Sequence, residues 1–337
     1  MIPPSDIMDS LHRARQANKS VSGRRSKLVA VFVGGTSGIG EATAKQLANT
    51  IELPTIYLVG RNVPAGSRIT KELHTLNPRG TFEFIKSDVS LLREVDTTCQ
   101  EIQRKERMVD LLFMTPGHLA TRKNDTVEGL DNNHVLRYYA RMRFIYNLLP
   151  QLEAAEFPAR VVSVLAAGRE GEIEESNFDL QVSFSFGTAA TYGATMNSLA
   201  MEYLAARHPS VTFIHTFPGV VQTALMKSSF GYILGSVIGL ATKLMSISEK
   251  ESGERNVFIA TSTAYPPATR AGEPSADGVG VAVASTGKVG GGSYLLNYDG
   301  KDATNQALMR SYREREYLTK LWDHTLDIFQ RVLGSNT

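Results

Sequence analysis

Val31-Phe32-Val33-Gly34-Gly35-Thr36-Ser37-Gly38-Ile39-Gly40 is the stretch whose reading decides the fold. The apolar run from Leu28 to Val33 has the near-continuous hydrophobicity of a strand buried on both faces, as parallel strands are. The glycines after it let the backbone turn sharply and come close to a pyrophosphate. From Glu41 to Leu47 the spacing is helical, so a phosphate at that helix start would meet unpaired N–H groups and the positive end of the helix dipole. A glycine-rich turn with no ligand is the bland alternative, and the rest of the chain is needed to choose.

Working outward, further strand patterns follow. Ile56-Tyr57-Leu58-Val59-Gly60-Arg61-Asn62 reads as a second strand and its exit. Phe82 to Ser90 alternates and ends in Asp88-Val89-Ser90, where Asp88 is also a good N-cap for a helix beginning near Leu91. Leu111 to Met114 leads into Thr115-Pro116-Gly117, Arg160 to Gly168 gives a fifth strand, and Val211 to Phe217 leads into Pro218-Gly219-Val220-Val221-Gln222-Thr223.

The spacing Gly34-x-x-x-Gly38-x-Gly40, with the Pro218-Gly219 motif far downstream, resembles the short-chain dehydrogenase/reductase family over about Leu28 to Gly300. The resemblance implies an α/β fold: a doubly wound Rossmann parallel sheet in three layers, one domain with N- and C-terminal helical extensions. Residues 1–27 are then an N-terminal arm, 28–300 the Rossmann domain and 301–337 a C-terminal helical extension. It also implies a nucleotide cleft lined by Gly34, Thr36, Ser37, Gly38, Ile39 and Gly40, by Arg61 and Asn62, and by Asp88 and Val89. Thr115, Pro116 and Gly117 continue it, and Pro218, Gly219, Val221 and Thr223 close it. In the family an acidic residue after the second strand binds the ribose of NAD. Arg61 stands there with a cationic fork suited to a 2′-phosphate, so NADP(H) is the expected cofactor, a solvated surface arginine being the alternative. After the fourth strand the family usually has Asn-Asn-Ala-Gly. Only Gly117 is retained, so the asparagine hydrogen bonds that steady this edge must be replaced.

The catalytic residues that the resemblance implies are a tyrosine that exchanges the proton, a lysine that lowers its pKa, a serine and an asparagine. Leu165 and Ala166 occupy the usual serine places, and Ser163 is expected to be structural. Tyr-x-x-x-Lys becomes Tyr192-x-x-x-Met196, on one helix face, with no charge to depress the phenol. Tyr192 is therefore the catalytic candidate, with a packing role as the other reading. The asparagine position falls on Arg137 or Tyr138, and Asn132 and Asn133 look like helix-start residues. Arg137, Arg141 and Arg143 either face an acidic substrate or the cofactor phosphates, or form a solvated or salt-bridged face. His118, Tyr192 and Tyr138 are alternative proton donors. The combination resembles divergent short-chain dehydrogenases of fungal secondary metabolism. The expected activity is NADP(H)-dependent oxidation or reduction of a hydrophobic ketone, enone or alcohol by a non-standard proton route. The rival is a cofactor-binding protein with a non-redox catalytic or regulatory role.

The 337 residues carry a net charge of +2, which offers no basic excess for nucleic acid. The single cysteine, Cys99, excludes an internal disulfide, fits a reducing compartment and is expected to be packed. With no apolar secretory segment near Met1, a cytoplasmic setting is expected. The seven histidines show no metal-ligand spacing. Residues from Ile7 could begin a short helix that docks on the body, or belong to a disordered arm.

The uncharged run Ser228 to Ala241 is too short to span a bilayer and reads as part of a greasy lid over about 224–250, with shallow docking on a membrane or simple core packing as the other readings. Residues 264–292 read as a surface excursion before a last strand, Ser293 to Tyr298. Asp302 to Leu333 reads as one or two helices that cover the domain or help form a homo-oligomer.

Overall fold

The computed structural model describes residues 4–24, 26–118, 122–221, 246–276 and 278–334. Its centre is a seven-stranded sheet in which every neighbouring pair is parallel, in the order β3-β2-β1-β4-β5-β6-β7. The strands are β1 (Lys27–Val33), β2 (Leu53–Gly60), β3 (Thr81–Lys86), β4 (Leu111–Met114), β5 (Arg160–Val164), β6 (Thr212–Thr216) and β7 (Ser293–Leu296). Every residue of β4, β5, β6 and β7 is buried, because helices cover both faces. Chain order reverses between β1 and β4, the switch point where doubly wound sheets open a crevice at their carboxyl ends. Register brings those ends level, since Val33 pairs with both Val59 and Met114, and Ser163 with both Met114 and His215.

One face carries α1 (Pro4–Arg24), α2 (Gly38–Thr50), α3 (Val63–Leu76) and the later helix α8 (Glu249–Thr261). The other carries α4 (Leu92–Lys105), a helical stretch composed of α5 (Asn132–His134), a π-helical segment (Val135–Tyr139) and α6 (Ala140–Glu153), then α7 (Phe186–Arg207), α9 (Gln306–Glu314) and α10 (Tyr317–Leu333). Two apolar cores result, one on each side of the sheet.

The N-terminal segment is longer and better anchored than a short helix. Leu11, Ala14, Ala17 and Val21 form its buried stripe, Asn18 donates to the Glu254 carbonyl at 2.8 Å, and Arg15 pairs with the Glu254 carboxylate at 2.9 Å. At the other terminus Leu321, Trp322, Ile328 and Phe329 are buried, with Trp322 stacked on Tyr203 of α7 at 5.3 Å. This tail therefore covers the body, and each such side chain contributes roughly 1.5–3 kcal/mol of burial.

Asp88 does not cap α4. The helix starts after Leu91, and its first amides, those of Leu92 and Arg93, donate to the Glu128 carboxylate from a distant loop. Asp88 instead accepts from the Ser90 amide and hydroxyl at 3.1 and 2.7 Å. Cys99 is buried and free, and burial raises its thiol pKa. Among the described residues no helix is long and apolar enough to cross a membrane, and no group of three or more His, Cys, Asp or Glu is placed to hold a metal.

Candidate active site

The residues expected to line the nucleotide cleft follow the carboxyl ends of β1, β2, β3, β4 and β6, along one edge of the sheet. Gly34 has φ +84° and Gly38 φ +53°, conformations that L side chains rarely adopt. A Cβ on Gly34 would stand 2.7 Å from Thr115 Oγ1, and one on Gly40 only 2.5 Å from the Gly34 carbonyl oxygen. Side chains at these places would force the turn apart from Thr115 and from itself. Ser37 precedes α2 without making a side-chain cap, which leaves the first-turn amides to an external acceptor. Glu41, in that first turn, is kept from opposing an anion by Lys45 at 2.6 Å and Arg68 at 2.9 Å. Burial pushes its carboxyl up, but these hydrogen bonds outweigh that and its pKa is lowered.

Thr36 packs on Gly60, where a Cβ would come within 2.9 Å of its methyl. Arg61 follows Gly60 and meets Asp88 at 3.6 Å, its side chain 65% exposed. Asn62 is a helix cap, accepting from the Ala65 amide at 3.0 Å. On the far side Gly219 has φ +74° and lies against Tyr298, and Val221 bridges to Ile247. Thr223 and most of the expected lid lie outside the described residues.

The edge that lacks the asparagines is held by other groups. Thr115 donates from its amide to the Val33 carbonyl at 2.9 Å and from its hydroxyl to the Gly34 carbonyl at 3.1 Å. Arg141 does the rest. It is 1% exposed and donates to the carbonyls of Leu136, Met114, Val164 and Pro116 and to Ser163 Oγ, at 2.6–3.2 Å. Burial, then the charge of Arg137, pushes it down to about 9. Ser163 passes the chain on to Asn197 Oδ1, and Asn197 Nδ2 donates to the carbonyls of Arg137 and Gly193. No solvated arginine face exists here, because Arg137, Arg141 and Arg143 are all buried. The sequence hid this, since three arginines on a helix ordinarily face water.

Behind the segment after β5 lies a second buried chain. The Ala166 amide donates to His215 Nε2, so Nδ1 carries the proton and donates to Ser198 Oγ, which donates to Glu170 Oε1. Burial, then Arg141, holds His215 down at about 3, and burial raises Glu170. Tyr192, Thr195 and Ser198 project from one face of α7 and pin residues 170–174. Tyr192 Oη accepts from the Glu174 amide at 2.9 Å, and no acceptor for its own proton is found among the described residues. Met196 is fully buried in the apolar core.

Arg137 and Tyr138 are neighbours in the π-helical segment and point to different elements. Arg137 turns to α7, whereas Tyr138 is fully buried under α10 and bonded to Thr325 at 2.7 Å. That corrects the expectation of Tyr138 as a proton donor: it has no route to a substrate, and burial raises its pKa. His118, just past the β4 turn, is partly buried, and its pKa is lowered by burial, then by Arg61 and Arg137.

Comparison with known proteins adds four findings. A model of the short chain dehydrogenase family matches residues 28–231. The chain is similar to an Emericella variicolor protein named oxidoreductase andH, 46% identical over 97% of this chain and 99% of that one. It is also similar to oxidoreductase AN1596 of Emericella nidulans, 42% identical over 91% and 94%. Among solved structures, a 3-oxoacyl (acyl-carrier-protein) reductase of Agrobacterium tumefaciens with NADP bound superposes with a TM-score of 0.55 at 18% identity, over 72% of this chain and 90% of that one.

Proposed function

The chain belongs to the short-chain dehydrogenase family and is an oxidoreductase of that type, and we propose that it uses NADP(H) to reduce or oxidise a hydrophobic ketone, enone or alcohol in secondary metabolism. The observation that carries the cofactor reading is the cradle at Gly34 and Gly40, too tight for any Cβ, opening onto the uncapped start of α2. The amides of that turn would take the pyrophosphate. Arg61, exposed beyond β2, would take the 2′-phosphate of NADP, with Asp88 orienting it. When bound, the nicotinamide supplies or accepts the hydride.

The chain's own part is to place the substrate oxygen and move a proton. Tyr192 suits the second task, because its oxygen receives the Glu174 N–H through a lone pair and leaves its proton for a substrate. The Ser198–His215–Glu170 chain and Arg141 fix the wall on which that tyrosine stands. An apolar substrate is supported by the uncharged composition of Ser228 to Ala241, the run after the Pro218-Gly219 turn.

The test is to mix the purified protein with NADPH and a panel of ketones and enones while following nicotinamide absorbance. Turnover with NADPH preferred over NADH is expected. Binding of NADPH without turnover across the panel would favour a non-redox use, and absence of binding would overturn both. Tyr192→Phe is expected to cut turnover by about 100-fold or more with NADPH affinity unchanged. An undiminished rate would remove Tyr192 from the chemistry.

A further inference from the structure

Three arginines lie within seven residues of one helical stretch, and they end in different situations. Arg141 is saturated by carbonyls and Ser163. Arg143 is gripped by the Asp96 carboxylate at 2.6 and 2.9 Å. Arg137 is only 7% exposed, yet among the described residues it makes one side-chain hydrogen bond, from Nε to Asn133 Oδ1 at 3.0 Å. Among the described residues its terminal nitrogens have no hydrogen-bond partner and no carboxylate lies within ion-pair distance, although the charge of Asp131 reaches it. Asn133 repeats the pattern: it is 1% exposed, and with Oδ1 taken by Arg137 its Nδ2 is buried and unpartnered.

The location is the site itself. A Cβ on Gly193, next to Tyr192, would stand 3.2 Å from Arg137 Cδ, and the Arg137 carbonyl is held by Asn197. His118, just past the β4 turn, has its pKa lowered by burial, then by Arg61 and by Arg137. The charge of Asp131 offsets only part of what burial costs the guanidinium, whose pKa stays lowered, and the guanidinium fork matches the paired oxygens of a carboxylate.

We propose that Arg137, assisted by Asn133 Nδ2, is an oxyanion-binding site on the substrate side, and that the substrate is an apolar ketone or alcohol carrying a carboxylate or an acidic enol near the reacting carbon. This rests on the oxidoreductase reading. Arg137 is the residue that selects the substrate, distinct from the proton donor and from the hydride source.

The test uses 4-acetylbenzoate and its neutral methyl ester as probes, with calorimetric titration into the NADP-saturated protein. The acid is expected to bind at least about tenfold tighter than the ester, a difference of about 1.4 kcal/mol. Arg137→Gln should erase that preference while NADP affinity stays unchanged, and Arg137→Lys should restore part of it. Equal binding of the two probes, binding of neither, or a preference that survives Arg137→Gln would overturn the proposal. So would a loss of NADP affinity in Arg137→Gln, which would assign the arginine to a cofactor phosphate. If Arg137→Gln does not fold by circular dichroism, the wild-type preference and its weakening in Arg137→Lys decide the matter. Failure of the wild type to bind NADP at all would instead sink the oxidoreductase reading on which the site depends.

Discussion

The turn after β1 and the segment after β5 lie along the same edge of the sheet, yet they are held by different means. The first is shaped by backbone. Gly34 and Gly40 are there because a side chain would strike Thr115 or the Gly34 carbonyl, and the open amides of α2 are the product. The second is shaped by buried side chains drawn from remote parts of the chain, Arg141, Ser163, Asn197, Ser198 and His215 among them. A backbone-built site tolerates almost no substitution and is written in glycine spacing. A side-chain-built site can be rebuilt with other residues, provided every buried donor and acceptor is met.

The sharpest break is Gly40→Ala. Its methyl would meet the Gly34 carbonyl at 2.5 Å, so the cradle must shift, and NADPH affinity is expected to fall by about 100-fold or more, roughly 3 kcal/mol. Calorimetry on the variant measures it, and near-native affinity would mean that the cradle is not where the cofactor sits. The second region is best broken at Arg141. Arg141→Met leaves four carbonyls and Ser163 without their donor, and urea unfolding should show a loss of about 4 kcal/mol, with little change in NADPH affinity for whatever remains folded.

The buried histidines sharpen the contrast through pH. His134 is held down at about 4 and His215 at about 3, both first by burial. Below pH 6.5 the unfolded chain takes up a proton at each of them and the folded chain does not, so their contribution to stability is present above 6.5 and is lost as pH falls. Between pH 6.5 and 4 each accounts for about 3 kcal/mol of that loss. His215→Asn, which keeps one donor and one acceptor, should flatten the acid limb by about that amount in denaturation followed across this range. An unchanged limb would show that His215 does not titrate as its burial dictates. The mildest change is Arg61→Gln, exposed and outside either framework. NADPH should bind about tenfold more weakly, about 1.4 kcal/mol, with NADH unaffected. Equal weakening of both would take the 2′-phosphate away from Arg61.

Legibility followed the same division. The strands, the glycine turn and the order of motifs could be read because each is a local pattern: an apolar run, a positive-φ glycine, a helix start. Asp88 misled, since a good capping residue before a helix is outcompeted when Glu128 arrives from another loop. Tyr138 misled because it is buried under α10 on Thr325 while Arg137, one residue earlier, turns to α7, a choice that the sequence alone left open. Arg141 was visible only as a charge on a helix. Its role as the replacement for the missing asparagines depends on the carbonyls at the ends of β4 and β5 converging around it.

What the sequence by itself determined is the part made of backbone: a parallel sheet whose buried strands are largely apolar, and a tight turn at Gly34 and Gly40 that leaves no room for a Cβ. What the tertiary structure alone decided is which polar side chains meet. It saturated Arg141, paired Arg143 with Asp96 and gave Arg137, next to α7, only Asn133 among the described residues. The physical reason is that a buried charge is defined by what surrounds it, and those surroundings come from residues far away in the chain.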